Sequence, residues 1–418
     1  MMSRNNLNVI LVEKNEYASD EASSEHHGWY HMGSLYSIFP KRDFMRTLIG
    51  GSEDLLQYYR HFARMNLAVN KNGKIQNNKK ISKGWFTGNK INYIVACNND
   101  EDFKTSNAKS LKEKIKSVFF KITWHLAIRQ FVGRHVLFNK HNWNGKKLGS
   151  VQIPKGNILN HRRSLISSLS INNLNINPKT HIQIPGFDQT MNAKTISFDL
   201  LESYIQNGGI YFSKTKVLNI KKIKNKWEIH SNKKIFTADK VLLTTGKWLD
   251  KIKLENCKKL KLKKSLSPLL VVYPNLLNEN FVRMTPFMNK TINHLVHGDN
   301  DKRYSLIGSG LYAEENANKE KLQKLEKTLI RRAKSVFPTF FNTKRYKIYW
   351  GTKTEYSGDL NERNYQYSIN EIGDNLWYLV PGKYSLIFSL AVNTYKKIFG
   401  GYPSKKTITI KNKKISKQ

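Results

Sequence analysis

Asn8-Val9-Ile10-Leu11-Val12 is a near-continuous apolar run closed by Glu13. A run without polar alternation has no solvent face to offer, so it predicts a strand buried on both faces of a parallel sheet. Lys240-Val241-Leu242-Leu243 repeats the pattern and enters a sharp small-residue turn, Thr244-Thr245-Gly246. Near the other end, Asn375 to Val380 runs into Pro381-Gly382-Lys383-Tyr384-Ser385 before an apolar helix from Leu386. Buried strands that end in turns and feed helices point to an α/β fold.

The intervening segments alternate between periods. Phe198 to Ile205 has the spacing of an amphipathic helix, stopped by Gly208-Gly209 where a C-cap glycine belongs. Ile210-Tyr211-Phe212 then enters a strand. Lys216 to Ile220, Trp227 to His230 and Lys234 to Thr237, parted by turns at Lys224-Asn225 and Ser231-Asn232, predict an antiparallel meander. Leu322, Leu325, Leu329, Ile330, Ala333, Val336 and Phe337 mark one face of a long helix. From about Asp43 to Gly186 the pattern shifts to longer helical stretches such as Leu111 to Ile128, which reads as an insertion. The basic tail after Pro403 is expected to fray.

At 418 residues the chain is too long for one ordinary core, and its 39% hydrophobic content supports packed domains rather than disorder. The net charge of +40 raises nucleic acid or an anionic membrane as a partner. Lys, however, travels with Asn and Ile in runs such as Asn77-Asn78-Lys79-Lys80, and all three have A/T-rich codons. Drift spread over solvated faces is one reading of the charge and a real anionic partner the other, and no specific nucleic acid is expected. With only Cys97 and Cys257, neither a disulfide framework nor a Cys-based zinc site can form within the chain. No apolar run approaches the roughly 20 residues of a membrane span, and no signal-peptide pattern opens the sequence, so a cytoplasmic protein without a transmembrane segment is expected.

An acid at the end of a buried strand sits where a dinucleotide fold meets the adenosine ribose, which makes Glu13 a candidate. The order of parts then carries a resemblance. Val9 to Lys14, a small-residue loop with Ser23-Ser24, and Gly28-Trp29-Tyr30-His31-Met32-Gly33 resemble the second strand and flavin loop of the D-amino-acid oxidase-like superfamily of FAD-dependent oxidoreductases. Asp188-Gln189-Thr190-Met191-Asn192 resembles the return from substrate domain to FAD domain. Val217 and Thr244-Thr245-Gly246 fall where that superfamily meets the adenine side, and Pro381 to Ser385 is similar to its C-terminal flavin turn, nearest to the glycerol-3-phosphate and 2-hydroxyglutarate dehydrogenase branches.

The resemblance implies an α/β fold, α+β overall. A Rossmann-like FAD-binding domain would comprise 1–43, 187–262 and 365–418, and a mixed-sheet substrate domain 44–186 and 263–364. Met1 to Leu7 matches only the last turn of the first helix, so the resemblance also implies that the FAD domain is N-terminally truncated by on the order of 25 residues of a βαβ unit. The strand–Gly-rich loop–helix that holds the pyrophosphate would then be missing, with impaired FAD binding as the consequence. Tyr304 to Ala313 fits strand plus G-x-G-x-x-A, but the helix after it starts late and no acid follows on a second strand, so it reads as a strand of the substrate domain.

The function this implies is hydride transfer from a small CH–OH or CH–NH substrate to FAD. Proposed FAD contacts are Glu13, Lys14, Ser23, Ser24, Val217, Thr245, Gly246, Gly382, Lys383, Tyr384 and Ser385. His31 is the candidate proton acceptor, while His26 and His27 are weaker ones that a solvated loop explains as well. Lys353, with Glu355 and Tyr356 nearby, is the candidate anchor for an anionic substrate group. Trp124 and His125, in an apolar helix, read as core. Two other functions compete: a flavin-free remnant or binding protein of the same fold, and a basic nucleic-acid-binding protein, which would lack any recognisable aromatic recognition motif.

Overall fold

A computed structural model describes residues 2, 7–23, 26–38, 43–59, 62, 67–69, 75–77, 84–96, 111–140, 167–168, 171–285, 291–298, 302–338, 340, 345–356 and 365–404. Ser24, Cys97, the run 78–80 and the tail from 405 onward lie outside these residues. The helices are α1 (Asp43–Tyr58), α2 (Leu111–Lys140), α3 (Ala193–Gln206), α4 (Lys319–Val336) and α5 (Ile387–Phe399).

One large mixed sheet dominates. Its path runs Ala313–Glu314, Leu262–Tyr273, Tyr304–Gly308, Ile292–His297, Asn280–Met284, Phe86–Ala96, His181–Met191 and Trp29–Tyr30, with Arg345–Tyr356 laid along Leu262–Tyr273. The pairing of Asn280–Met284 with Phe86–Ala96 is parallel. Alternation along the strands sends successive residues to opposite faces. Ile94 and Phe281 meet Leu329, Ala333 and Val336 of α4, whereas Tyr93, Val95 and Val282 meet Trp124, Ile128 and Phe131 of α2. The two helices therefore cover opposite faces of one sheet. Trp124 is core, as expected, and its indole donates to the Ala96 carbonyl at 3.0 Å, whereas His125 is corrected to a half-buried position.

A second group of strands is parallel. Ile10–Val12 pairs with Ile210–Phe212, and Val241–Leu243 with Leu376–Val380, which is flanked by the antiparallel Ser368–Gly373. The meander Val217–Ile223, Lys226–Ser231, Ile235–Ala238 forms as expected. All of them share one core built from Ile220, Trp227, Phe236, Leu243, Leu376 and Tyr378, with Val12 and Phe212 packed against it.

The expectation that the first strand is buried on both faces is corrected. Ile10 is 42% and Leu11 36% exposed, and only Val12 joins the core. Among the described residues this three-residue strand has a ladder on one side only, so its second edge and most of its side chains remain open to solvent.

Helix ends follow local chemistry. The Asn192 side chain caps α3 by accepting from Thr195 N at 3.2 Å, and the chain leaves through Gly208 at φ +82°. Tyr304–Gly308 is a strand of the large sheet, as expected, and α4 begins only at Lys319. Gly308 is required there by packing, since a Cβ would lie 2.8 Å from Asn293 Oδ1. No described helix is long and apolar enough to cross a membrane.

Candidate functional site

The centre of the site is a carboxylate that the sequence marked only as the start of the return stretch Asp188 to Asn192, without a site role. Asp188 sits near the end of the strand His181–Met191, with no exposed surface. It accepts from the Trp29 indole at 2.9 Å, from Met32 N at 2.9 Å and from the Tyr93 hydroxyl at 2.8 Å. His31 Nδ1 lies 3.5 Å from Asp188 Oδ2. Burial alone would push this carboxyl up, but its bonds with His31, Met32 N–H and Tyr93 outweigh that and hold it below the usual carboxylate value. The charge is therefore kept, inside the protein, by donors aimed at it.

His31 is the opposite case. Burial, then the positive charge of Lys383, push its pKa down to about 4, against the pull of Asp188. At neutral pH the ring is uncharged. Its face stacks on Trp29, ring centres 4.3 Å apart, and its edge meets Tyr36 at 5.4 Å. His26 and His27 stand beside it, and His26 packs on Tyr384 at 4.8 Å. The ring atoms His26 Nε2 and His27 Nδ1 are sealed from solvent without hydrogen-bond partners, which does not fit the solvated-loop alternative for these two residues.

Gly28 lets this loop close. It has φ +65°, and a Cβ would lie 2.4 Å from the His297 ring. His297 Nε2 in turn meets the His27 carbonyl at 3.0 Å.

Two cations converge from separate strands and turns. Lys353 Nζ lies 4.6 Å and Lys383 Nζ 4.8 Å from the centre of the Tyr365 ring, and Lys383 is 5.3 Å from Tyr36. The Lys353 ammonium also pairs with Glu355, whose side chain is almost fully buried, so its position is fixed by an internal partner. Tyr356 leaves the strand on the other face, where it packs against the core of Ile220, Leu376 and Tyr378. The structure thus brings His31, Lys353 and Lys383 together and separates Tyr356 from them.

Gly382 forms the turn that carries Lys383 and Tyr384. Its φ is +65°, and a Cβ would fall 2.3 Å from the Tyr365 carbonyl and 2.4 Å from that of Gln366. Gly382→Ala is expected to destabilise the fold by about 2–3 kcal/mol, since strain and backbone contact add. Urea unfolding followed by tryptophan fluorescence measures this; a change below about 0.5 kcal/mol would mean that the turn relaxes freely. Ser385, next to this turn, has a buried hydroxyl without a partner.

The remaining candidates are held by contacts among the turn at Gly246, the strand at Thr352 and the segment after the first strand. The Tyr378 hydroxyl donates to the Gly246 carbonyl at 2.6 Å, tying the Thr245-Gly246 turn to the strand that leads into Gly382. Thr245 Oγ1 is buried without a partner. Lys247 Nζ reaches Thr352 Oγ1 at 3.5 Å, next to Lys353. Lys14 lies 3.5 Å over the Trp248 ring and pairs with Glu21, which also accepts from the Trp248 indole. Glu13 accepts from Asn15 N at 2.9 Å, and burial raises its pKa although Asn15 N–H and Lys14 oppose it. The Glu13 carbonyl accepts from Thr215 N at 2.8 Å, which sets Glu13 beside the start of the strand at Val217. Ser23 occupies a turn ahead of His26.

Asp188, Tyr36, Tyr93 and Tyr365 were not singled out by sequence as site residues. Asp188 had a usable signal: it is the lone acid of its strand-like stretch, and an acid must be paired if it is buried. The three tyrosines had none, because each is one among 20.

No protein-family model matches this chain, and no curated protein matches it in sequence. Solved structures do match. L-proline dehydrogenase from P. horikoshii aligns with a TM-score of 0.58 at 11% identity, over 97% of this chain and 90% of that one. Glycine oxidase from Geobacillus kaustophilus aligns with a TM-score of 0.55 at 11% identity, over 98% and 94%. L-alpha-glycerophosphate oxidase from Mycoplasma pneumoniae, solved with FAD bound, gives 0.56 at 14% identity, over 94% and 90%. The chain has the fold of these oxidases and dehydrogenases, which bears out the resemblance read from the sequence at the level of fold.

Proposed function

We propose that this protein is an FAD-dependent oxidoreductase that oxidises a small CH–OH or CH–NH substrate bearing an anionic group. The observation that carries the reading is the meeting of a neutral, buried His31 with two lysines around Tyr365, beside the left-handed turn at Gly382. Partnerless buried polar atoms at Thr245, Ser385, His26 and His27 support it, because such atoms need donors or acceptors that a polar cofactor can provide. FAD, when bound, supplies the acceptor for hydride.

The chain's own groups divide the rest of the work. Glu13 is the acceptor for ribose hydroxyl protons, and the backbone at Val217 and the turn at Thr245-Gly246 hold the adenosine side. The turn at Gly382, Lys383, Tyr384 and Ser385 would hold the flavin side, with the partnerless Ser385 hydroxyl as its polar contact, since the Lys383 N–H already donates to the Pro381 carbonyl at 2.7 Å. The ammonium groups of Lys353 and Lys383 bind the carboxylate or phosphate of the substrate. Glu355 pairs with the Lys353 ammonium and fixes where it stands.

His31 accepts the proton released from the substrate oxygen or nitrogen. His31 Nδ1 lies 3.5 Å from Asp188 Oδ2 without a formed hydrogen bond, and the imidazolium that proton uptake would form is stabilised by that nearby carboxylate charge. Burial by Trp29 and Tyr36 keeps water from competing for that proton.

The test is to purify the full chain, add FAD, and measure bound-flavin absorbance and its bleaching by a panel of amino acids, 2-hydroxy acids and glycerol phosphate. Lys353→Met is expected to raise KM for the anionic substrate roughly tenfold or more while kcat changes less. Weak binding is the outcome that the expected impairment implies, so FAD is added up to millimolar concentration; flavin that binds there yet is bleached by no substrate, or no flavin bound even there, overturns the reading, and equal KM for parent and variant removes Lys353 from it.

A further inference from the structure

We propose that α2 docks on the surface of an anionic lipid bilayer, lying in the interface without crossing it. The helix has two apolar faces. At about 100° per residue, Trp124, Ile128, Phe131 and Val132 form one face, and it is buried against the large sheet. Ile115, Val118, Phe119, Ile122 and Leu126 form the other, roughly opposite. These five side chains are 61%, 59%, 68%, 54% and 56% exposed. Single exposed hydrophobics are ordinary, but five at helical spacing make a continuous stripe, and such a stripe marks an interaction surface.

Charge selects the occupant. The helix carries Lys112, Lys114, Lys116, Lys121, Arg129, Arg134 and Lys140 against the single acid Glu113. Arg129 is exposed beside the stripe and Lys121 is half-buried. An apolar stripe on a basic helix is the combination that binds anionic bilayers, with acyl chains taking the apolar side chains and headgroups the cations. A second copy of this chain is the poorer partner, since each copy carries +40 and brings the same basic helix to the contact. No described helix can span the bilayer, so the contact is peripheral.

The experiment is co-sedimentation of the full chain with vesicles of phosphatidylcholine alone and of equal parts phosphatidylcholine and phosphatidylglycerol. The parent chain is expected to pellet with the anionic vesicles only. Phe119→Ser combined with Ile122→Ser is expected to weaken partition at least roughly tenfold with unchanged circular dichroism. In a second variant, Phe119→Trp, the added fluorescence is expected to be quenched by brominated acyl chains, which reports insertion without removing bulk. The proposal is overturned if the parent does not pellet, if the serine variant pellets equally, so that charge alone acts, or if brominated lipid leaves the introduced indole unquenched. It is also overturned if the parent is a dimer that the serine variant dissolves, because the stripe is then a self-interface.

Discussion

Lowering the pH from 7 to 5 is expected to destabilise the protein by about 4 kcal/mol through His31 and His294 alone. Both rings are buried, at 4% and 0% exposure, and burial, as the largest cause, brings each pKa to about 4 against an ordinary 6.5. The folded state thus holds them neutral while the unfolded chain takes up protons below pH 6.5. Their contribution is complete above that value and is lost as pH falls toward 4, at about 1.4 kcal/mol for each tenfold difference in proton affinity. His26, whose pKa is likewise pushed to about 4, and His27 and His297, also lowered, add in the same direction. A loss of this size is a large part of the roughly 5–15 kcal/mol that typically holds a domain together.

The measurement is the urea midpoint between pH 7 and pH 5. His294 gives the control, because its ring bridges the Glu279 carbonyl at 2.9 Å and Ser305 Oγ at 2.7 Å, away from the candidate site. His294→Gln is expected to be less stable at pH 7 yet to show a shallower pH dependence. A stability that stays flat from pH 7 to pH 5 would show that these rings reach solvent or acid partners in solution.

How much of this was legible in the sequence depends on the range of the interaction concerned. The meander, the body and glycine stop of α3, and α4 were legible because period and turn residues are local, whereas the start of α3 was read at Phe198, five residues after its first helical residue Ala193 and its Asn192 cap. The exposure of Ile10 and Leu11 was not, since it depends on which strands lie beside them. The strand Phe86–Ala96 was hidden within a region that read as helical. Its sequence, Phe-Thr-Gly-Asn-Lys-Ile-Asn-Tyr-Ile-Val-Ala, mixes polar and apolar positions without clean alternation, because part of it bulges against His181–Met191. At the site, His31, Lys353 and the Gly382 turn stood out only through the resemblance to the oxidase superfamily, since type and local context do not distinguish them. Tyr36 and Tyr365 enter only because residues far apart in sequence stack around the same lysines. The second apolar face of α2 was legible in principle, but the buried and exposed faces together make the helix look uniformly apolar until packing distinguishes them.

Asp188→Asn is expected to cost about 2–5 kcal/mol of stability and to lower turnover about a hundredfold or more, the largest effect of any single substitution at the site. The carboxylate has two oxygens and receives only donors: Met32 N–H on Oδ1, and the Trp29 indole and Tyr93 hydroxyl on Oδ2, with His31 Nδ1 beside them. An amide keeps one acceptor and turns the other into a donor. Placed one way, its NH2 faces Met32 N–H; placed the other, it faces Trp29. Either orientation breaks a charge-assisted bond of about 1.5–3 kcal/mol and leaves a buried donor against a donor. The functional loss has a separate origin. Without the negative charge 3.5 Å from Nδ1, protonation of His31 becomes harder still. Trp29→Phe separates the two, since it removes one donor to Asp188 but keeps the charge beside His31. It is expected to cost about 1–2 kcal/mol with a smaller loss of turnover and an unmoved pH profile. Urea unfolding and the pH dependence of kcat, measured on both variants, decide the matter. If Asp188→Asn folds within about 0.5 kcal/mol of the parent and its pH profile is unchanged, the carboxylate is neither the keystone of the loop nor the partner of His31.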